Sequence, residues 1–197
     1  MQNSYLLHDE LYSMKRLFDL TVALFVGILS MPLVLVAAAV IYLGDRKNPI
    51  FSQKRLGKNK KVFTLYKLRT MHIGTPSTMS HNLNSSSVTT AGAFLRKTKL
   101  DELPQLLNVI RGDMSLVGPR PGLETDLKLT DAREKLNIFS ILPGVTGISQ
   151  INNIDMSDPN KLASSDKTYL EKQSFILDLR IIIKTVLGRG QGDKIRK

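Results

Sequence analysis

Residues 20–43 read LTVALFVGILSMPLVLVAAAVIYL, from Leu20 to Leu43, a run of 24 residues without a single charge. As a straight helix the run measures about 36 Å, against about 30 Å for the hydrocarbon core of a bilayer. Beyond Leu43 the chemistry reverses. Between Gly44 and Met71 stand Arg46, Lys47, Lys54, Arg55, Lys58, Lys60, Lys61, Lys67 and Arg69, opposed only by Asp45. An apolar segment that runs straight into a basic block reads as a membrane element with that flank on the cytoplasmic side. Lys15 and Arg16 precede the run. Pro32, near its middle, removes an amide donor and crowds the carbonyl of Ile28, and Ser30 is placed to satisfy a freed carbonyl. Each half is only about 15–17 Å long, too short to cross alone. A kinked span and a helix–break–helix that dips in and returns to the same face both satisfy these residues. A cleaved signal peptide fits poorly, because apolar residues continue past Ala37–Ala39 to Leu43.

The rest of the composition narrows the chemistry. A chain of 197 residues suits one domain with an appended membrane element. The absence of cysteine excludes disulfides, thiolate zinc sites, iron–sulfur clusters and cysteine nucleophiles. The three histidines (His8, His72, His81) have no HExxH-type spacing, which disfavours a histidine metal centre. A formal net charge of +11 calls for an anionic partner: phosphate groups, nucleic acid or acidic lipid.

Downstream, residues 49–53 and 62–68 alternate and are β-rich around a turn at 57–61, which predicts a hairpin. Residues 74–90, rich in Ser, Thr and Asn, read as a surface loop or lid. The spacing predicts a helix over 93–111 stopped by Gly112, a charged helix over 123–136, turns and extended pieces over 142–153, and one long helix over 166–187. The last of these is apolar enough for core or for the membrane interface. A flexible tail follows from Gly188.

Three stretches can carry chemistry. Asp101 and Glu102 open a helix ahead of Pro104. Acids in a first turn simply complement the dipole, but Arg96, Lys97 and Lys99 just before them suit an anionic substrate beside anionic catalysts, and aspartate is a nucleophile toward phosphoryl groups. Gly118-Pro119-Arg120-Pro121-Gly122 fixes one guanidinium in a rigid turn, either merely solvated or a bidentate phosphate clamp. The blocks Gln53–Gly57 and Tyr66–Met71 are basic, fit for lipid or for substrate phosphate. No P-loop or dinucleotide fingerprint is present.

The order of these blocks resembles the small monotopic phosphoglycosyl transferases of the bacterial sugar transferase family. The resemblance rests on Lys15–Asp19, Ser30…Pro32, Phe51–Gly57, Tyr66–Met71, Leu95–Leu106, Asn108–Pro121 and Pro143–Gly147, and covers the chain from about Met14 onward. It implies transfer of a sugar 1-phosphate from a nucleotide sugar, on UDP by family habit, to polyprenyl (undecaprenyl) phosphate. By the same resemblance Asp101 is the nucleophile that becomes a phosphosugar-aspartyl intermediate, and Glu102 its Mg²⁺-linked partner, both near the metal. Arg96 and Arg120 bind phosphate, joined by Lys67 or Arg69 and by Gln53 and Arg55. The sugar suggested by family habit is an N-acetylated deoxyhexosamine. Three positions depart from the family pattern: Met31 between Ser30 and Pro32, Ile148 in place of an aromatic, and Asn153-Ile154 in place of Gly-Arg.

The expected fold is therefore α+β and mostly helical. Residues 1–13 are a lead-in and 14–44 a re-entrant membrane helix broken near Ser30–Pro32. Residues 45–187 form a cytoplasmic catalytic domain with a small β-hairpin and interfacial amphipathic helices, and 188–197 the tail. The expected location is the cytoplasmic face of a bacterial inner membrane, with membrane lipids as partners, no nucleic acid, and a homodimer compatible with the pattern. A non-enzymatic, membrane-anchored basic module binding acidic lipid or nucleic acid is the rival; it leaves Asp101-Glu102 and Arg120 without a role.

Overall fold

The apolar run is helical throughout. In the computed structural model, which describes the backbone of residues 2–76 and 85–190 and the side chains from Ser13 onward within them (Ser85 excepted), α1 runs from Gln2 to Asp45. Pro32 lies inside this helix. The expected break at Ser30–Pro32 is thus corrected to a continuous helix. A proline removes one donor from the ladder, and Ser30 Oγ donates to the Gly27 carbonyl at 3.4 Å, one turn earlier. Most of the run is exposed; Phe25, Ile28, Leu29 and Leu35 each show more than three-fifths of their surface. It is, among the described residues, the helix long and apolar enough to cross a membrane.

Both halves of α1 nevertheless touch the rest of the chain along one stripe. Phe18, Val22, Ala23 and Val26 join the main core, built from Phe63, Leu65, Val109, Met114, Val117, Tyr169 and Ile181 among others. Val34, Ala37, Ala38 and Ile41 join a second cluster around Leu68 and Leu95. Below the run, the charged root of α1 is bonded rather than solvated. Arg16 donates to the carbonyls of Val109 (2.7 Å) and Ile110 (3.1 Å), satisfying groups that a helix end leaves open.

The hairpin is present. β1 (Ile50–Leu56) and β2 (Val62–Leu68) pair antiparallel in the register Ile50↔Leu68 to Leu56↔Val62. The expected helix over 93–111 is divided. α2 (Thr90–Thr98), capped by Thr89, ends at Lys99 with φ +59°; a tight 3₁₀ stretch covers Leu100–Gln105; and α3 (Leu106–Arg111) ends at Gly112 with φ +87°. Pro104 has no amide to continue an α ladder, and the left-handed Lys99 turns the chain before it. Gly112 stops the helix as expected, since only glycine adopts that φ at no cost.

β3 (Ser115–Val117) and β4 (Gly144–Thr146) form a short parallel pair that the periodicity of the sequence does not reveal. The approach is very close: a Cβ on Gly118 would stand 2.5 Å from the Leu142 carbonyl oxygen. α4 spans Leu127–Lys135, starting later than expected because Asp126 caps it by accepting from the Leu129 amide at 3.1 Å. α5 is Ile148–Ile151. The expected single helix over 166–187 is two: α6 (Pro159–Lys172), opened by the Asp158 cap and Pro159, and α7 (Phe175–Val186), opened by Ser174. Capping side chains and a first-turn proline outrank apolar periodicity in placing helix ends. A buried ion pair joins this side. Arg133 donates to Asp166 Oδ2 through Nε (2.9 Å) and Nη2 (2.6 Å), and Ser149 Oγ donates to Asp166 Oδ1 at 2.8 Å. The expected 74–90 loop and 188–197 tail lie partly outside the described residues.

Candidate active site

Asp101 and Glu102 sit in the 3₁₀ stretch, packed beside β2 and α2. Glu102 Oε1 accepts from Lys67 Nζ at 3.0 Å and from Arg120 Nη1 at 3.3 Å, with each partner's side chain less than one-fifth exposed. Three distant pieces of sequence thus meet on one carboxylate: β2, the 3₁₀ stretch and the Pro-locked turn. Asp101 is the more buried of the pair, at 6% exposure. Burial pushes its carboxyl up to about 6; Glu102 adds to the rise, while Lys67, Arg96 and Arg120 oppose it. Burial likewise lowers the Lys99 ammonium, offset by Glu102 and reinforced by Arg120. Two carboxylates therefore stand in the field of four cations. That surplus of positive charge suits a diphosphate, and it holds the buried carboxylate largely ionised at neutral pH.

For Asp101 burial is the largest influence, and the neighbouring cations Lys67, Arg96 and Arg120 oppose it. Of the two basic candidates around the end of β2, Lys67 reaches Glu102. Arg69 lies past the strand's last residue and donates from Nε to the Asn48 carbonyl at 2.9 Å. Arg96 belongs to the field around Asp101. Arg55 is buried, donating to the Pro121 carbonyl at 3.0 Å and to Gln53 Oε1 at 2.7 Å. Those two residues thus brace the turn that carries Arg120, and the amide of Leu56 adds a bond to the Gly122 carbonyl at 3.0 Å.

Sequence reasoning missed Asn108. It is fully buried, accepts from the Tyr66 amide at 3.3 Å, and donates to the Thr64 carbonyl at 2.7 Å and to Asp113 at 3.3 Å. It stitches α3 to the strand that carries Lys67. The signal in the sequence is a lone amide inside the apolar Leu106–Ile110 run, since a buried polar group must be paired.

Two hard oxygen donors set beside cations are of the kind that would hold Mg²⁺, which takes one or two carboxylates and completes its shell with phosphates and water. Among the described residues no group of three or more His, Cys, Asp or Glu side chains gathers in one place.

Comparison with known proteins gives this geometry a setting. The family model described as "Bacterial sugar transferase" matches residues 10–190. The chain is 40% identical over 173 residues to the "Uncharacterized sugar transferase EpsL" of Bacillus subtilis, covering 88% of this chain and 85% of that one. It is 36% identical over 190 residues to the "Exopolysaccharide production protein ExoY" of Rhizobium meliloti, covering 87% and 83%. It is also 36% identical over 181 residues to the "UDP-glucose:undecaprenyl-phosphate glucose-1-phosphate transferase" of Caulobacter vibrioides, covering 87% and 68%.

Proposed function

Because this chain belongs to the bacterial sugar transferase family, we propose that it moves a sugar 1-phosphate from a UDP-sugar to polyprenyl phosphate, by way of a phosphosugar carried on Asp101. The observation that carries the reading is the convergence of Lys67 and Arg120 on Glu102, with Asp101 buried beside them. Glu102 is neutralised by two direct partners, whereas the charge on Asp101 is sustained by the surrounding field. The carboxylate less committed to its neighbours is the better nucleophile.

In the first step a carboxylate oxygen of Asp101 bonds to the sugar-bearing phosphorus and the bond from that phosphorus to the bridging oxygen breaks. The nucleoside monophosphate leaves with the electron pair. In the second step an oxygen of the polyprenyl phosphate attacks the same phosphorus and the aspartyl oxygen leaves, restoring the carboxylate. No general base is needed, because both nucleophiles are already ionised. Arg120 and Lys67 hold the diphosphate oxygens, the guanidinium in bidentate fashion. Mg²⁺ held by Asp101 and Glu102 would screen the repulsion between carboxylate and diphosphate and stabilise the departing phosphate.

The same reading bends α1 at Pro32 without interrupting the helix, and so puts both its ends on the cytoplasmic face of the inner membrane with the bend deepest. Phe18–Val26 and Val34–Ile41 both rest on the catalytic domain, while residues 27–33 join neither cluster. Were α1 a perpendicular span, the domain would follow it for about 35 Å into hydrocarbon, with its Lys and Arg side chains. The outer face of α7 (Phe175, Ile176, Leu179, Ile183, Val186) is exposed and apolar, and Phe175 meets Phe18 edge to face at 4.9 Å. It therefore continues the lipid-facing surface from the root of α1.

The test is to incubate the protein with UDP-sugars in the absence of acceptor, starting with UDP-glucose and a UDP-linked N-acetylated deoxyhexosamine. One equivalent of nucleoside monophosphate is expected, with a phosphosugar mass on the peptide containing Asp101, and neither with Asp101→Asn. Full turnover with no adduct would point to direct attack by the lipid phosphate. Binding of acidic lipid that collapses with salt, with no turnover on any donor, would favour the basic module.

A further inference from the structure

The strand that delivers Arg120 is held by a chain of buried polar groups that the proposed chemistry does not use. Asp19, at the root of α1, accepts from Ser115 Oγ at 2.7 Å and from the Leu116 amide at 3.4 Å. Lys15, one turn earlier, lies 3.8 Å from Asp19 and 2.5 Å from Asp178 on α7. The Tyr169 hydroxyl, on α6, lies 2.7 Å from Asp178 Oδ1 and 3.1 Å from the Val117 carbonyl, sharing its single proton between the two acceptors. Asp19, Ser115, Tyr169 and Asp178 are each at most 2% exposed. Groups buried this deeply are costly unless mutually satisfied, so the network tolerates few arrangements.

Its position is informative. Every bond to β3 falls on Ser115, Leu116 or Val117, and Gly118-Pro119-Arg120 follows at once. The turn has bonds to β4 (Gly118 amide to Thr146 carbonyl, 2.9 Å; Gly144 amide to Pro119 carbonyl, 2.9 Å). Those, with the Ser115 amide bonded to the Pro143 carbonyl (2.9 Å) and the braces from Arg55 and Leu56, fix its path, while the network ties β3 to α1, α6 and α7.

We propose that Tyr169 and Asp178 are positioning residues for the phosphate clamp: together with Lys15 and Asp19 at the root of the membrane helix, they hold β3, and through it Arg120, in the one register that aims its guanidinium at Glu102. This rests on the reading of Arg120 as a substrate clamp. Seating of the membrane helix and assembly of the active site then become one event, because Lys15 and Asp19 belong to the helix and Arg120 to the site.

Tyr169→Phe keeps the ring and removes the hydroxyl; Asp178→Asn is the second variant should the first unfold. In otherwise native protein in nanodiscs, Tyr169→Phe is expected to lower turnover roughly tenfold, the scale of a clamp displaced by less than 1 Å. Hydrogen exchange should rise in peptides covering residues 115–122 but not in those covering α2. In an Arg120→Lys background the further loss should shrink to twofold or less, because the clamp is already compromised. An equal loss in both backgrounds, exchange raised alike across the domain, or no change in either readout overturns the proposal. Wild-type protein that releases no nucleoside monophosphate from any donor sinks the proposed function instead, and the exchange arm still decides the coupling.

Discussion

Asp101→Asn should abolish turnover and at the same time make the protein more stable. The carboxyl is raised from its ordinary 3.8 to about 6, chiefly by burial. The folded protein therefore holds this proton more tightly than the unfolded chain, and ionising the group in place costs stability. That cost is absent below about pH 4, grows as pH rises between about 4 and 6, and is complete above. A rise of about two pH units corresponds to ~3 kcal/mol. Asparagine presents nearly the same shape without the charge, so at pH 8 the variant should gain ~2–3 kcal/mol, or about 5–10 °C in Tm for a domain of this size. Near pH 4 the two proteins should melt together. The assay is thermal unfolding followed by circular dichroism, since the chain has no tryptophan, with the protein in nanodiscs at both pH values. A variant less stable than wild type at pH 8, or a difference that does not change with pH, would refute the reasoning. It would mean that attraction from Lys67, Arg96 and Arg120 outweighs burial.

Arg120→Lys should lower turnover by an order of magnitude or more with the fold intact, because an ammonium cannot reproduce the two-pronged contact; unchanged kinetics would reduce Arg120 to part of a turn. Asp166→Ala should cost ~3–5 kcal/mol by denaturant unfolding, since it strands the buried Arg133 guanidinium, to which Asp166 Oδ2 lies 2.6 Å away; a loss under ~1 kcal/mol would show that water reaches the site. Ser13→Cys and Lys61→Cys, both at exposed positions in a chain with no native cysteine, should each be labelled from the cytoplasmic side in vesicles; reaction of the first from the opposite side alone would establish a full span.

The long apolar helix, the hairpin and the Gly112 stop were legible in the sequence because each depends on local chemistry. An uncharged run of 24 residues has few places to go, and alternation and turn residues declare a hairpin, whereas adjacent acids amid cations only admit an anionic substrate beside the ordinary first-turn role. What stayed hidden depends on partners far away in the chain. Lys67 and Arg69 are alike in sequence, and only the end of β2 at Leu68 decides that Lys67 meets Glu102. The parallel pairing of β3 with β4 joins residues 29 apart by sequence number (Ser115 with Gly144), which no periodicity records. Helix ends at Lys99 and Ser174 were set by a left-handed turn and a capping hydroxyl, both weaker in sequence than the apolar pattern that runs across them. Asp19, Asn108, Tyr169 and Asp178 look like ordinary polar residues until folding buries them. The sequence by itself determined which chemical groups are present and which segment must leave water. The tertiary structure decided which of those groups lose their solvent, and in a low-dielectric interior that loss turns a scattered set of charges into a site with one arrangement.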